Sequence, residues 1–198
     1  MTPQDLAAVA PAGHYIALRI GFAFPMEEIN LLPPAWVDHY TKGGYMLLDP
    51  VVQWAYTHTG ATTWSALRDN DPHGILAIAA TFGLHFGLCL SIADETAAGQ
   101  RSFASFARAD REFSQLEVRL LAAYLDRRHA ELSPPTNLTR AELEALNMVK
   151  DGMRLKEIAY DLGVTEGAVK QRLKGAKTKL HANTSTQAAT LARQFRLI

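Results

Sequence analysis

The chain holds a single cysteine, Cys89, in 198 residues. A lone thiol excludes an intramolecular disulfide and a cysteine-based zinc site, and Cys89 reads as a buried apolar filler. Long hydrophobic runs are missing as well. The longest candidate, 75–82, is cut short by Gly83, far below the roughly 18 apolar residues that cross a bilayer. The opening MTPQDLAAVAPAG contains Asp5 and no Lys or Arg before Arg19. Without the basic region of a secretory signal, the expected location is the cytoplasm, with no membrane partner. His14, His39, His58, His73 and His85 are scattered, with no metal-ligand spacing and no nucleophile nearby, and no glycine-rich phosphate motif occurs. Neither an enzyme nor a bound cofactor is expected. No internal repeat or low-complexity tract is present.

What is present is ordinary soluble-domain material: 48% apolar residues, 20% charged, and a mean hydropathy of -0.06. The length suits one large domain or two small ones. The formal net charge is zero, but residues 1–132 carry 9 basic against 14 acidic side chains and residues 133–198 carry 11 against 6. A small basic module behind an acidic one suits a polyanionic partner, although a solvated lysine-rich helix gives the same count.

The division falls at HAELSPPTNL. Pro134-Pro135 cannot continue a helix, because proline lacks the amide donor and clashes with the preceding turn. Before it, Ser114 and Glu117 form a capping box that opens an amphipathic helix. After it, Thr139 and Glu142 form another, ahead of a helix that ends near Gly152. The expected domains are therefore 1–132 and 138–198, joined by a linker over 133–137.

In the first domain, 14–24, 86–93 and 101–109 are strand-like, and the last two flank a DETAAG hairpin turn. Helical patterns span 26–40, 49–59 and 71–82, with Asp49-Pro50 and Asp71-Pro72 each supplying an N-cap and a first-turn proline. The fold class is α+β, an N-terminal α-β-α sandwich on an antiparallel sheet followed by an all-α four-helix domain. Trp36 and Tyr40 share a helical face, and Asp49 and Trp64 follow at intervals of nine and fifteen residues. Two indoles, a phenol and a carboxylate suit a mostly apolar ligand cleft, while plain core aromatics and a helix cap would give the same pattern.

In the second domain, Leu155, Ile158, Ala159 and Leu162 form one apolar helical face that Gly163 ends. Thr165 then caps a helix that turns Val169, Leu173, Ala176 and Leu180 inward. The same helix turns Lys170, Lys174, Lys177, Lys179, Gln171 and Arg172 outward. This is a helix-turn-helix. Its lysines suit phosphates and its long polar chains suit base edges in a major groove, with a plain charged α-hairpin as the alternative.

The segments LTRAELEAL, EIAYDLGV, VKQRLKGAKTKL and QAATLARQF resemble the C-terminal domain of LuxR-type regulators. The resemblance makes Glu142, Leu146 and Gly152 framework positions. It assigns DNA contact to the recognition helix at Lys170 and Lys174, with Thr165, Gln171, Arg172 and Lys177 as further candidates. Gly167, Ala168 and Ser185 depart from the usual residues. The stretch GVTEGAVKQRLKGAKTKL also resembles the last helix-turn-helix of sigma factors.

The N-terminal series Trp36, Tyr40, Asp49, Pro50, Trp64 and Gly87 resembles the acyl-homoserine-lactone-binding domain of the same regulators. The resemblance implies that the Trp36 indole donates to the lactone carbonyl and that Asp49 accepts from the acyl amide. Tyr40 and Trp64 wall the ligand, and Ser105 adds a contact. Leu32 stands where many relatives carry a tyrosine, and the opening helices look short. The implied protein is a quorum-sensing regulator that takes an N-acyl homoserine lactone or similar small signal. It would bind double-stranded operator DNA as a homodimer paired through the apolar stripe of 187–195, with RNA polymerase as a further partner. The alternative is a ligand-independent regulator whose first domain serves dimerisation or modulates a partner regulator.

Overall fold

The computed structural model describes residues 1–21, 24–94, 100–133, 135–195 and 197–198. It divides into two compact units, Met1–Leu132 and Ser133–Ile198. Among the described residues, no helix is long and apolar enough to cross a membrane.

Five antiparallel strands form the sheet of the first unit: β1 (Gly13–Ile20), β2 (Glu27–Asn30), β3 (Gly60–Thr63), β4 (Phe86–Ala93) and β5 (Arg101–Arg108). They lie in the order β2-β1-β5-β4-β3. Successive side chains of a strand point to opposite faces, and the sequence uses both faces for apolar groups. Ile16, Leu18, Leu88, Leu90, Ala104 and Phe106 point to one side. There they meet Leu6 of α1 (Pro3–Val9) and Leu121 and Leu125 of α6 (Gln115–Glu131). Ala17, Cys89, Phe103 and Ala107 point to the other side. There they meet α2 (Pro34–Lys42), α3 (Pro50–Thr57), α4 (Trp64–Leu67) and α5 (Ile75–Ala80). The result is the α-β-α sandwich expected from the sequence.

Three expectations need correction. Residues 26–40 are not one helix, because β2 occupies Glu27–Asn30 and α2 opens only at Pro34. Pro33-Pro34 cannot sit inside a helix but suits its first turn, and the segment before it pairs with β1. The first strand stops at Ile20, well short of Phe24, since the ladder shifts register between Ala17 and Ile20 and Arg19 takes a φ of +52°. This irregularity turns the Arg19 side chain inward, where Nε donates to the His129 carbonyl at 2.8 Å and a terminal nitrogen meets Asp94 at 2.5 Å. Asp71-Pro72 does not open α5 as cap and first residue. Instead the Asp71 carboxylate reaches over the turn and accepts from the amides of Ile75 and Leu76 at 2.9 and 2.8 Å.

The expected hairpin strands form, as does the cap of α3 by Asp49. Residues 95–99 of DETAAG and Pro134 of the linker lie outside the described residues. Both capping boxes form, Ser114 with Glu117 and Thr139 with Glu142.

Among the described residues, the second unit has four helices, α7 (Arg140–Lys150), α8 (Leu155–Asp161), α9 (Glu166–Lys179) and α10 (Ser185–Gln194). Ala188, Ala189 and Ala192 of α10 are buried with Ala145 and Leu146 of α7 and with Leu173 and Ala176 of α9. The alanines of this stripe therefore pack within their own domain, while Leu191 and Phe195 stay half-buried.

Gly87 is a tight point of the first unit, because a Cβ built there would collide with the Trp64 indole. Gly87→Ala is expected to lower unfolding free energy by about 1–3 kcal/mol, the usual cost of overpacking a filled core, read from the urea midpoint. An unchanged midpoint would show that the indole can step aside.

Candidate ligand-binding cavity and nucleic-acid interface

Strand register fixes what the helix-covered face of the sheet presents to α2–α5. Asn30 of β2 lies opposite Tyr15 of β1, Tyr15 opposite Ser105 of β5, Ser105 opposite Cys89 of β4, and Cys89 opposite Thr62 of β3. One row of polar and small side chains thus crosses all five strands. The next row on that face begins with Glu28, Ala17 and Phe103. Over these rows lies a cavity of about 230 Å³, roofed by Trp36 and Tyr40 of α2, Asp49 and Val51 at the start of α3, and Ile75 and Leu76 of α5. All five sequence-predicted ligand residues, Trp36, Tyr40, Asp49, Trp64 and Ser105, line it.

Trp36 is 4% exposed, and its ring lies edge-on to Tyr40 at 5.3 Å and beside Phe82 at 5.5 Å. Its indole N–H has no acceptor among the described residues. Such a donor is costly to bury without a partner. Asp49 is buried and works in two directions: one oxygen accepts from the Val51 amide at 2.8 Å and the other from the Tyr40 hydroxyl at 2.9 Å. Burial raises its pKa, and these donors together with the Val52 amide only partly oppose the rise. A carboxylate offers about four lone-pair sites, so one further donor still finds room. Burial, then the Asp49 charge, raises the Tyr40 pKa, which keeps the phenol protonated as a donor.

Trp64 and Ser105 are linked to each other, the indole N–H donating to the hydroxyl oxygen at 3.2 Å. The Ser105 hydroxyl hydrogen remains for an acceptor in the cavity. Arg101 of β5 holds the far end of α3 through the carbonyls of Ala55 and His58, at 2.7 and 2.5 Å. α3 is thus fixed at both ends, and Asp49 with it.

The sequence reading missed Tyr15 and Glu28. Leu32 does line the cavity without supplying a phenol, as expected, but it sits in the coil ahead of α2. A phenol enters instead from the sheet, where burial, and then the nearby Glu28, raises the Tyr15 pKa. The alternation of β1, with Ile16 and Leu18 on one face and Tyr15 and Ala17 on the other, was the available signal. Among the described residues, no Lys, Arg or His lines the cavity, and its acidic side chains are Asp49 and Glu28.

In the second unit, Gly163 takes a φ of +62° between α8 and α9, and the Thr165 hydroxyl accepts from the Ala168 amide at 3.2 Å. Thr165 is therefore the N-cap of α9, as the sequence indicated. Val169, Leu173 and Ala176 face the core, as does Leu180 just past the helix end. Lys170, Gln171 and Lys174 are exposed on the opposite side, and Arg172 and Lys177 are half-buried at its two edges. Gly167 leaves the first turn bare, since a Cβ there would meet only the Thr165 hydroxyl at 3.7 Å. Lys179 departs from the expected outward set, because its ammonium is drawn back to the Glu142 carboxylate at 2.8 Å. A side chain at 175 would strike that same carboxylate.

Known proteins match this arrangement over both units. The Autoinducer binding domain family matches residues 25–131, and the luxR family of bacterial regulatory proteins matches 136–192. The transcriptional activator protein VanR of Vibrio anguillarum is 30% identical over 175 residues, covering 81% of this chain and 72% of VanR. The quorum sensing-dependent transcriptional regulator RpaR of Rhodopseudomonas palustris is 30% identical over 179 residues, covering 85% of this chain and 74% of RpaR. Among solved structures, Escherichia coli SdiA shares the fold with a TM-score of 0.55 at 22% identity, covering 98% of this chain and 90% of SdiA. With an autoinducer binding domain ahead of a helix-turn-helix domain, the chain belongs to the luxR family of quorum-sensing transcriptional regulators.

Proposed function

We propose that the first unit binds an N-acyl homoserine lactone, or a neutral amphipathic molecule of the same donor and acceptor pattern, in the cavity over the sheet. The observation that carries this reading is the pairing, in one apolar cavity, of an unpartnered Trp36 indole donor with an Asp49 carboxylate that has acceptor capacity left. Trp36 donates to the lactone carbonyl and Asp49 accepts from the amide N–H. Tyr40 acts through Asp49, holding its carboxylate in place. Ser105, itself held by Trp64, offers its hydroxyl hydrogen to the acyl carbonyl, and the indole of Trp64 forms a wall. The chain then binds double-stranded operator DNA as a homodimer through α9, with Lys170 and Lys174 on phosphates and Gln171 toward base edges. A two-fold protein suits a two-fold operator with half-sites one helical turn apart.

Ligand bound only to the folded state stabilises it by mass action, about 2.7 kcal/mol at a hundredfold excess over Kd, or several degrees in thermal midpoint. A panel of N-acyl homoserine lactones of different chain lengths is expected to raise the midpoint of the wild type for one length range. Trp36→Phe keeps an aromatic side chain and removes the donor, and should shrink that shift; because the smaller ring also leaves space at a buried position, the ligand-free midpoint is expected to fall by a few degrees. No shift from any member, in protein that folds and binds DNA, would favour the ligand-independent reading, which Leu32 supports.

Each lysine that neutralises a phosphate contributes about 0.9 to the slope of log affinity against log salt. In a dimer, Lys174→Ala is expected to reduce that slope by about 2, measured on duplex DNA over a salt series. Lys179→Ala should leave the slope unchanged, because that ammonium is already paired with Glu142. Equal slopes for wild type and Lys174→Ala would remove α9 from the interface.

A further inference from the structure

The cavity is not uniform from end to end. Its buried part includes Trp36, Asp49, Trp64 and Ser105 among apolar side chains such as Ile75 and Phe103, whereas the lining residues open to solvent are Glu28, Asn30, Thr41 and Met46. Three of those four are polar. Glu28 and Asn30 belong to β2, an edge strand two places from β5 and its Ser105. At about 4.8 Å per strand, that puts them roughly 10 Å from the Ser105 position across the sheet. The cavity's 230 Å³ falls below the roughly 300–1,000 Å³ of most small-molecule sites, so a ligand of that larger size would extend past the cavity toward these exposed residues.

The chemistry there is that of a carboxylate without a cation. Glu27 and Glu28 are neighbours on β2, and the pleat sends them to opposite faces. Glu27 pairs with Arg128 of α6 at 2.5 Å, whereas Glu28 lines the cavity together with Tyr15. Among the described residues, no basic side chain lines the cavity. A plain alkyl end laid against Glu28 would strip water from a charged group and return no hydrogen bond. A hydroxyl or ammonium would replace that water with a charge-assisted bond.

We infer that Glu28, with Tyr15 and Asn30, makes the mouth of the cavity a specificity site for a ligand whose chain ends in a hydrogen-bond donor. The inference rests on the proposed binding of an amphipathic signal in this cavity and adds the chemistry of that signal's distal end. Glu28 is exposed on an edge strand, so its replacement leaves the core untouched.

The test is isothermal titration of the full-length protein with hexanoyl, octanoyl and decanoyl homoserine lactones and their terminal-hydroxyl and terminal-amine analogues. At the best chain length, the wild type is expected to bind a terminal-donor analogue at least about tenfold more tightly than the plain chain. Glu28→Leu should abolish or reverse that preference, and Glu28→Gln should keep part of it for the hydroxyl and lose it for the amine. Plain chains bound as tightly as their analogues by the wild type would overturn the inference while leaving the proposed cavity ligand in place. A preference that survives Glu28→Leu would overturn the role of Glu28. Binding of no member of either series would remove the ligand class itself, and this inference with it.

Discussion

A carboxylate placed in an apolar cavity must have its lone pairs satisfied, and much of the first unit is arranged around that requirement at Asp49. The same group caps α3 through the Val51 amide and takes the Tyr40 hydroxyl of α2. It thereby links α2 to the start of α3. Arg101 secures the opposite end of α3 to the sheet. Structural and functional roles coincide here: the cap that any helix of this kind needs is also the acceptor that faces the cavity.

The rest of the site follows from how the sheet is covered. Gly87 lets the Trp64 indole lie directly on β4, close enough for its N–H to reach Ser105 on β5. The aromatic series of the sequence therefore consists of differently employed groups. Trp64 is tied down by a hydrogen bond, Tyr40 supports a carboxylate, and Trp36 keeps its donor for the cavity. The second unit shows the same economy, in that Glu142 closes the capping box of α7 and holds Lys179 of α9.

Legibility from sequence tracked the range of the interactions. Short-range devices were readable: both capping boxes, the Asp49 cap, the Gly163 turn and the inward face of α9 depend on residues within a few positions of each other. The aromatic and acidic positions of the cavity were readable through their spacing and resemblance. What depended on pairing between distant segments was not. The segment of β2 fits a helical period as well as a strand period, and only its pairing with β1 makes it a strand. Glu28 and Tyr15 enter the cavity through that pairing, so they were missed together. Arg19 reads as an ordinary strand residue until its positive φ turns it toward Asp94 and His129. The stripe on α10 was legible as apolar, but its amphipathic pattern does not say whether the partner is the same domain or another copy.

The central claim, that Asp49 serves both as helix cap and as acceptor for a ligand amide, is tested most directly by a double-mutant cycle. Asparagine is as good a cap as aspartate, so Asp49→Asn preserves α3 while removing the charged acceptor. Affinities of the wild type and this variant would be measured for an N-acyl homoserine lactone and for its ester analogue, which lacks the amide N–H. The account predicts a coupling energy of about 1.5–3 kcal/mol, the worth of a hydrogen bond to a charged group. Additive losses, with no coupling between the carboxylate and the amide, would contradict it.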